Sequence, residues 1–160
     1  MKLRIFISSV QREFAEERRM LADYIRRDPL LGSFFSVFLF EESPAIDVSA
    51  ANLYLPEVES SDIYLGIIGD EYGNVDGEGI SPTEREYDAA TKAGRERLVF
   101  LRKGTARDAR VDKFVQKMQS LRHLASSLAK VSRLRSIFSN TASITRSAFL
   151  MPSLSMSCVN

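Results

Sequence analysis

Residues 61–101 read SDIYLGIIGDEYGNVDGEGISPTEREYDAATKAGRERLVFL, and their order decides the fold. Ile63, Tyr64, Leu65, Gly66, Ile67 and Ile68 form an unbroken run, the pattern of a parallel strand covered on both faces. Gly69 to Ile80 is a loop rich in glycine and aspartate. Ser81-Pro82-Thr83-Glu84 then opens a helix with three agreeing signals: a serine cap, a proline at the first helical position and a glutamate three residues after the cap. Gly94 closes that helix, and Leu98-Val99-Phe100-Leu101 is a second strand of the buried kind. Strand, loop, helix and strand make one parallel crossover. It sets Glu86 beside the carboxyl ends of two parallel strands, where open α/β sheets bind ligands.

The same alternation continues outward in both directions. Leu3 to Ile7 is a strand by its β-branched and aromatic content. It ends at Ser8-Ser9, and Ser9 is placed to cap the next helix. That helix is predicted from about Gln11 to Arg27, with Val10, Phe14, Leu21 and Ile25 at helical spacing and Glu13, Glu16, Glu17 and Arg19 on a wet face. Asp28-Pro29 and Gly32 end it. Ser36 to Phe40 reads as a strand covered on both faces. A weaker helix is predicted between Ser49 and Val58, broken or kinked at Pro56, and another from Ala109 to about Gln119. Four strands alternating with helices imply an α/β fold: a parallel sheet of order about 2-1-3-4, flavodoxin-like, with room for a fifth strand and with helices on both faces.

With 160 residues, 44% hydrophobic and 27% charged, the chain has the makings of one folded domain rather than a disordered one. The net charge of +1 conceals an asymmetry. All 21 acidic residues lie in 1–119, against 17 basic ones, while 120–160 carries five basic residues, no acid and eleven serines. The reading is therefore an α/β domain over 1–119 and an atypical basic, serine-rich segment over 120–160. Leu121, Leu124, Leu128, Val131 and Leu134 could form a helix there, followed by irregular sequence. A frame-shifted or truncated end is one account of this segment, and a mobile tail is the other. The acidic body gives no support for nucleic-acid binding. No apolar run is long enough to span a membrane or act as a secretory signal. One cysteine, Cys158, and one histidine, His123, make neither a disulfide nor a zinc site nor a Cys/His nucleophile pair, so a cytoplasmic setting and no metal are expected.

Glu86 is the leading chemical residue. On the helix from Pro82 it shares a face with Ala89, Ala90 and Ala93, small residues that let a helix approach a sheet. A carboxylate on that face points into the crevice, and the positive helix end favours its ionised form. There it could hold ribose hydroxyls or stabilise an oxocarbenium-like sugar; a structural pairing with Arg4, Arg97 or Arg102 is the alternative. The capping box already accounts for Glu84. Ser8 and Ser9, between a strand end and a helix start, suit a phosphate seat, although helix capping explains Ser9 equally well. Tyr72 could stack on a base and Asp70 could bind a hydroxyl, or the Gly69–Gly73 stretch is ordinary turn chemistry. Asp76 and Glu78 match no cation-loop spacing. There is no G-x-G-x-x-G and no Walker lysine loop.

Taken together, several of these pieces resemble the domain of unknown function 4062 family. They are Arg4-Ile5-Phe6-Ile7-Ser8-Ser9-Val10 with Phe14-Ala15-Glu16-Glu17-Arg18, Asp62-Ile63-Tyr64-Leu65-Gly66, Gly69-Asp70-Glu71-Tyr72-Gly73 and Ser81-Pro82-Thr83-Glu84-Arg85-Glu86-Tyr87. The resemblance covers about Lys2 to Gln119. Such modules are similar to TIR (Toll/interleukin-1 receptor-like) domains and, more distantly, to nucleoside 2-deoxyribosyltransferases. The resemblance implies a signalling or defence interaction module, self-associating or docking a protein partner, at the front of a larger protein with a downstream NTPase or Schlafen-like domain. It also implies an alternative, an N-glycosidase cleaving NAD or a nucleoside with Glu86 as the catalytic carboxylate. NAD or a nucleotide would then be the ligand, and no cofactor is otherwise called for.

Overall fold

The computed structural model describes residues 1–42, 50–103, 106–125 and 156–158. Five strands, β1 (Leu3–Ser9), β2 (Phe35–Phe38), β3 (Ile63–Ile68), β4 (Glu96–Arg102) and β5 (Met156–Cys158), form one sheet of order β2-β1-β3-β4-β5. The first four are parallel, in the flavodoxin-like order read from the sequence, and β5 pairs antiparallel with β4. The helices are α1 (Gln11–Arg27), the short α2 (Leu31–Phe34), α3 (Ala50–Ser60), α4 (Pro82–Lys92) and α5 (Ala109–Ala125).

Side-chain alternation along the central strands feeds two cores. On one face Ile5, Ile7, Ile63, Leu65 and Ile67 pack with Phe14, Ala22 and Ile25 of α1 and Leu31 of α2. On the other, Phe6, Tyr64 and Ile68 pack with Tyr54 and Val58 of α3, Tyr87 and Ala90 of α4, and Val111, Phe114 and Met118 of α5. Burying each large apolar side chain contributes about 1.5–3 kcal/mol. All six residues of β3 are buried, as its unbroken apolar run requires.

Several local expectations change. Ser9 does not cap α1: Val10 is the cap residue, without a side-chain bond, and Ser9 belongs to the strand. The apolar run at 36–40 is not covered on both faces, because β2 lies at the sheet edge and only its first residue is buried; Leu39, just beyond it, is buried instead. Pro56 sits inside α3 without ending it. Glu13 leaves the wet face and turns inward, because three donors await its carboxylate: the amides of Asp70 at 2.8 Å and Glu71 at 3.2 Å, and Arg102 Nη1 at 3.0 Å. Helix α5 runs across position 119 to Ala125. The readings placed on 126–155 lie outside the described residues.

Candidate functional site

Ser8 and Ser9 end β1 with side chains on opposite faces of the sheet. Ser8, fully buried, looks toward α4, and its hydroxyl donates to Oε2 of Glu86. It accepts in turn from the Tyr64 hydroxyl at 3.0 Å. That reach is set by a glycine. Tyr64 lies on β3, two residues before Gly66, and Gly66 stands opposite Ser8 in the register. With no side chain at 66, the Tyr64 ring lies over that position; a Cβ there would stand 2.9 Å from Tyr64 Cε1. Tyrosine, serine and glutamate therefore form one buried chain running from β3 through β1 to α4.

Ser9 looks the other way, toward α1. Its carbonyl and hydroxyl oxygens both accept from Arg18 Nη1 at 3.2 Å. Arg18 is only 3% exposed, and its remaining nitrogens are held by Glu41, Nε at 3.0 Å and Nη2 at 2.7 Å. Glu41 belongs to a 3-10 turn, Phe40–Glu42, that follows β2.

Of these residues Ser9, Arg18 and Glu86 line a cleft of about 320 Å³. Its walls are Ser9 to Arg12, from the end of β1 into α1, Arg18 of α1, Phe40 after β2, Tyr72 to Asn74 after β3, Tyr54 of α3, and Pro82, Thr83 and Glu86 of α4. It therefore opens beyond the carboxyl ends of β1 and β3, where the chain order of the sheet reverses, the usual ligand crevice of open α/β sheets.

Glu86 is 8% exposed and faces this cleft. Burial is the dominant influence on its carboxyl, raising it from 4.5 to about 7 against the smaller opposing pull of the Ser8 bond and the Arg18 charge; Glu41 adds to the rise. The helix-end effect anticipated from sequence is outweighed, and near neutrality both forms of Glu86 are populated. None of the arginines anticipated as structural partners bonds it. Arg4 pairs with Glu57 at 2.5 Å, Arg97 donates to Tyr87 and Thr91, and Arg102 goes to Glu13. Tyr64 and Tyr54 stay protonated, both pushed up first by burial and then by the Glu86 charge.

The other anticipated residues divide. Tyr72 is buried and lines the cleft, but its hydroxyl donates to Glu84 Oε2 at 2.6 Å and Arg110 covers its ring at 5.1 Å. The Glu84 side chain, also held by Lys117 at 2.8 Å, thus ties the loop to α4 and α5, and only the Ser81 half of the capping box forms, at 3.3 Å. Asp70 is not brought to the cleft. It sits with Glu13 and Arg102, its Oδ2 3.8 Å from Arg102 Nη1. Ser8 contributes through Glu86, not through a surface of its own. The residues missed are Arg18, Tyr64 and, at the rim, Arg12, which pairs with Glu71. Arg18 had a signal: Phe14, Arg18, Ala22 and Ile25 are the buried stripe of α1, so a cation stood among apolar positions at helical spacing. No group of His, Cys, Asp and Glu among the described residues could hold a metal ion, and no helix among them is long and apolar enough to cross a membrane.

A flavodoxin-like parallel sheet with a buried carboxylate at its reversal point defines an α/β module built around a crevice. The sequence matches the family model described as Domain of unknown function (DUF4062) over residues 4–148, and the chain belongs to that family. The match extends beyond Gln119, where the resemblance read from the sequence ends. No curated protein and no solved structure matches the chain.

Proposed function

We propose that the cleft takes NAD or a nucleoside and that Glu86 assists cleavage of the bond between base and ribose. The observation that carries this is a carboxyl in the crevice that is oriented by Ser8 yet, among the described residues, bonded to no cation. Cleavage of a nicotinamide-ribose bond needs only one carboxylate. The C1′–N bond breaks with both electrons going to the ring nitrogen, which leaves as a neutral amide-bearing pyridine and needs no proton. The sugar becomes an oxocarbenium ion, which the Glu86 anion stabilises through space. Water then adds at C1′ and gives its proton to Glu86, whose position near neutrality suits that exchange. Ser8 donates to Oε2 and so holds the carboxyl in place for this work. Incubation of the wild type and Glu86→Gln with NAD, and separately with a nucleoside, followed by chromatography of the free base, tests the reading. The wild type is expected to release base, and the variant to be slower by about 100-fold or more. Equal rates, or no release by the wild type, refute it.

A second reading, a TIR-like signalling or defence module that self-associates ahead of a downstream NTPase or Schlafen-like domain, has its own support. Leu30 and Phe34 are 63% and 59% exposed beside the edge strand β2. Sedimentation over a concentration series, with Leu30→Ser/Phe34→Ser as control, checks it. A wild type that stays monomeric throughout counts against it.

A further inference from the structure

Both arginines that α1 presents to the cleft carry a carboxylate from another loop. Arg18 is held by Glu41 after β2, and Arg12 by Glu71 after β3. The first pair is unequal in burial: the Arg18 side chain is 3% exposed, and that of Glu41 is 29%. A buried ion pair of this kind gives little stability over apolar packing of the same volume, so stability alone does not account for a guanidinium in the wall of a cleft. A guanidinium that takes a carboxylate through two nitrogens also presents the geometry that takes a phosphate. We propose that Arg18 is an anion seat occupied by the protein's own Glu41, and that a phosphate or diphosphate on the incoming ligand replaces Glu41 there.

This rests on the nucleoside reading of the cleft and narrows it to phosphorylated nucleosides. The exchange has a direction. Glu41, whose side chain already reaches solvent, passes to water when displaced, whereas Arg18 stays desolvated and gains a more highly charged partner. Ser9 helps: its hydroxyl oxygen accepts from Arg18, which leaves its own O–H to donate to the anion. Arg12, at the rim, can take a second phosphate by leaving Glu71. Ser8 has no such freedom, because its proton is committed to Glu86.

Calorimetric titration of the full chain with ADP, adenosine and inorganic pyrophosphate, on wild type, Glu41→Gln and Arg18→Lys, tests the seat. Wild type is expected to bind ADP about tenfold or more tightly than adenosine. Glu41→Gln is expected to tighten ADP and pyrophosphate by about tenfold, with adenosine unchanged, and Arg18→Lys to erase the advantage of ADP. Added salt, measured on the wild type alone, is expected to weaken ADP and spare adenosine. The seat is overturned if ADP binds no better than adenosine, if Glu41→Gln leaves ADP and pyrophosphate unchanged or weaker, or if salt acts equally on both nucleosides. Adenosine binding without an ADP advantage removes the seat and keeps the nucleoside reading. Pyrophosphate binding that tightens in Glu41→Gln, with no adenosine binding, does the reverse.

Discussion

Replacing Glu86 with glutamine is expected to flatten the pH dependence of stability. The carboxyl titrates near 4.5 in the unfolded chain and near 7 when folded, chiefly because burial disfavours its charge. Below 4.5 both states hold the proton, and the group costs nothing. As pH rises from 4.5 toward 7 the unfolded chain releases its proton while the folded one keeps it, so unfolding gains ground. Above 7 the folded protein carries a buried anion and the full penalty remains. At about 1.4 kcal/mol per pH unit, the interval amounts to about 3 kcal/mol lost between acid and alkaline solution. Glutamine has nearly the same shape, can still accept from Ser8 and does not titrate. Urea unfolding of both proteins at about pH 4.5 and about pH 8.5 measures this difference, because other titrating groups act alike in both. Wild type is expected to lose about 3 kcal/mol more than Glu86→Gln across that span. Parallel stability curves would show that the carboxyl is not desolvated, and the basis for its chemistry would go with them.

Ser8→Ala removes the hydroxyl that favours the Glu86 anion, so the carboxyl is expected to rise further from its ordinary value. The same unfolding series reads this as a steeper alkaline loss relative to Ser8→Ala/Glu86→Gln, and a shallower one contradicts it. Gly69→Ala would place a methyl group 2.0 Å from Glu13 Oε1, forcing the carboxylate away from the amides of Asp70 and Glu71. A loss of about 1–3 kcal/mol is expected in urea unfolding, and an unchanged midpoint would mean that the Glu13 contact does not secure the loop.

Much of the fold was legible because it depends on local pattern. The β-branched and aromatic content of β1, the unbroken apolar run of β3 and the Ser-Pro-x-Glu start of α4 are each sufficient over a few residues. The inward turn of Glu86 was legible for the same reason, from its place on a helix face of small residues. Its protonation was not, because the opposing effects of helix end and burial can be weighed only once the walls are known. Edge position is likewise a property of the whole sheet, and Phe35–Phe38 has the composition of a central strand. Arg18, Glu13 and Asp70 were hardest. A charged residue on a helix or loop reads as solvated until its partners arrive from distant sequence, here Glu41 for Arg18 and the 69–71 turn with Arg102 for Glu13. Tyr64 was hidden by its own strand, since only the Gly66–Ser8 register gives its hydroxyl somewhere to go.

The bond set of Glu13 reaches beyond stability. One carboxylate in the first turn of α1 grips the backbone just ahead of Tyr72 and Gly73, so two sides of the crevice are riveted together before any ligand arrives. The side carrying Phe40 and Glu41 is joined to α1 by the Arg18 and Arg26 ion pairs instead. A guest molecule thus meets a fixed jaw and a separately latched one, and little configurational freedom is left to be surrendered at the fixed side when the gap is filled.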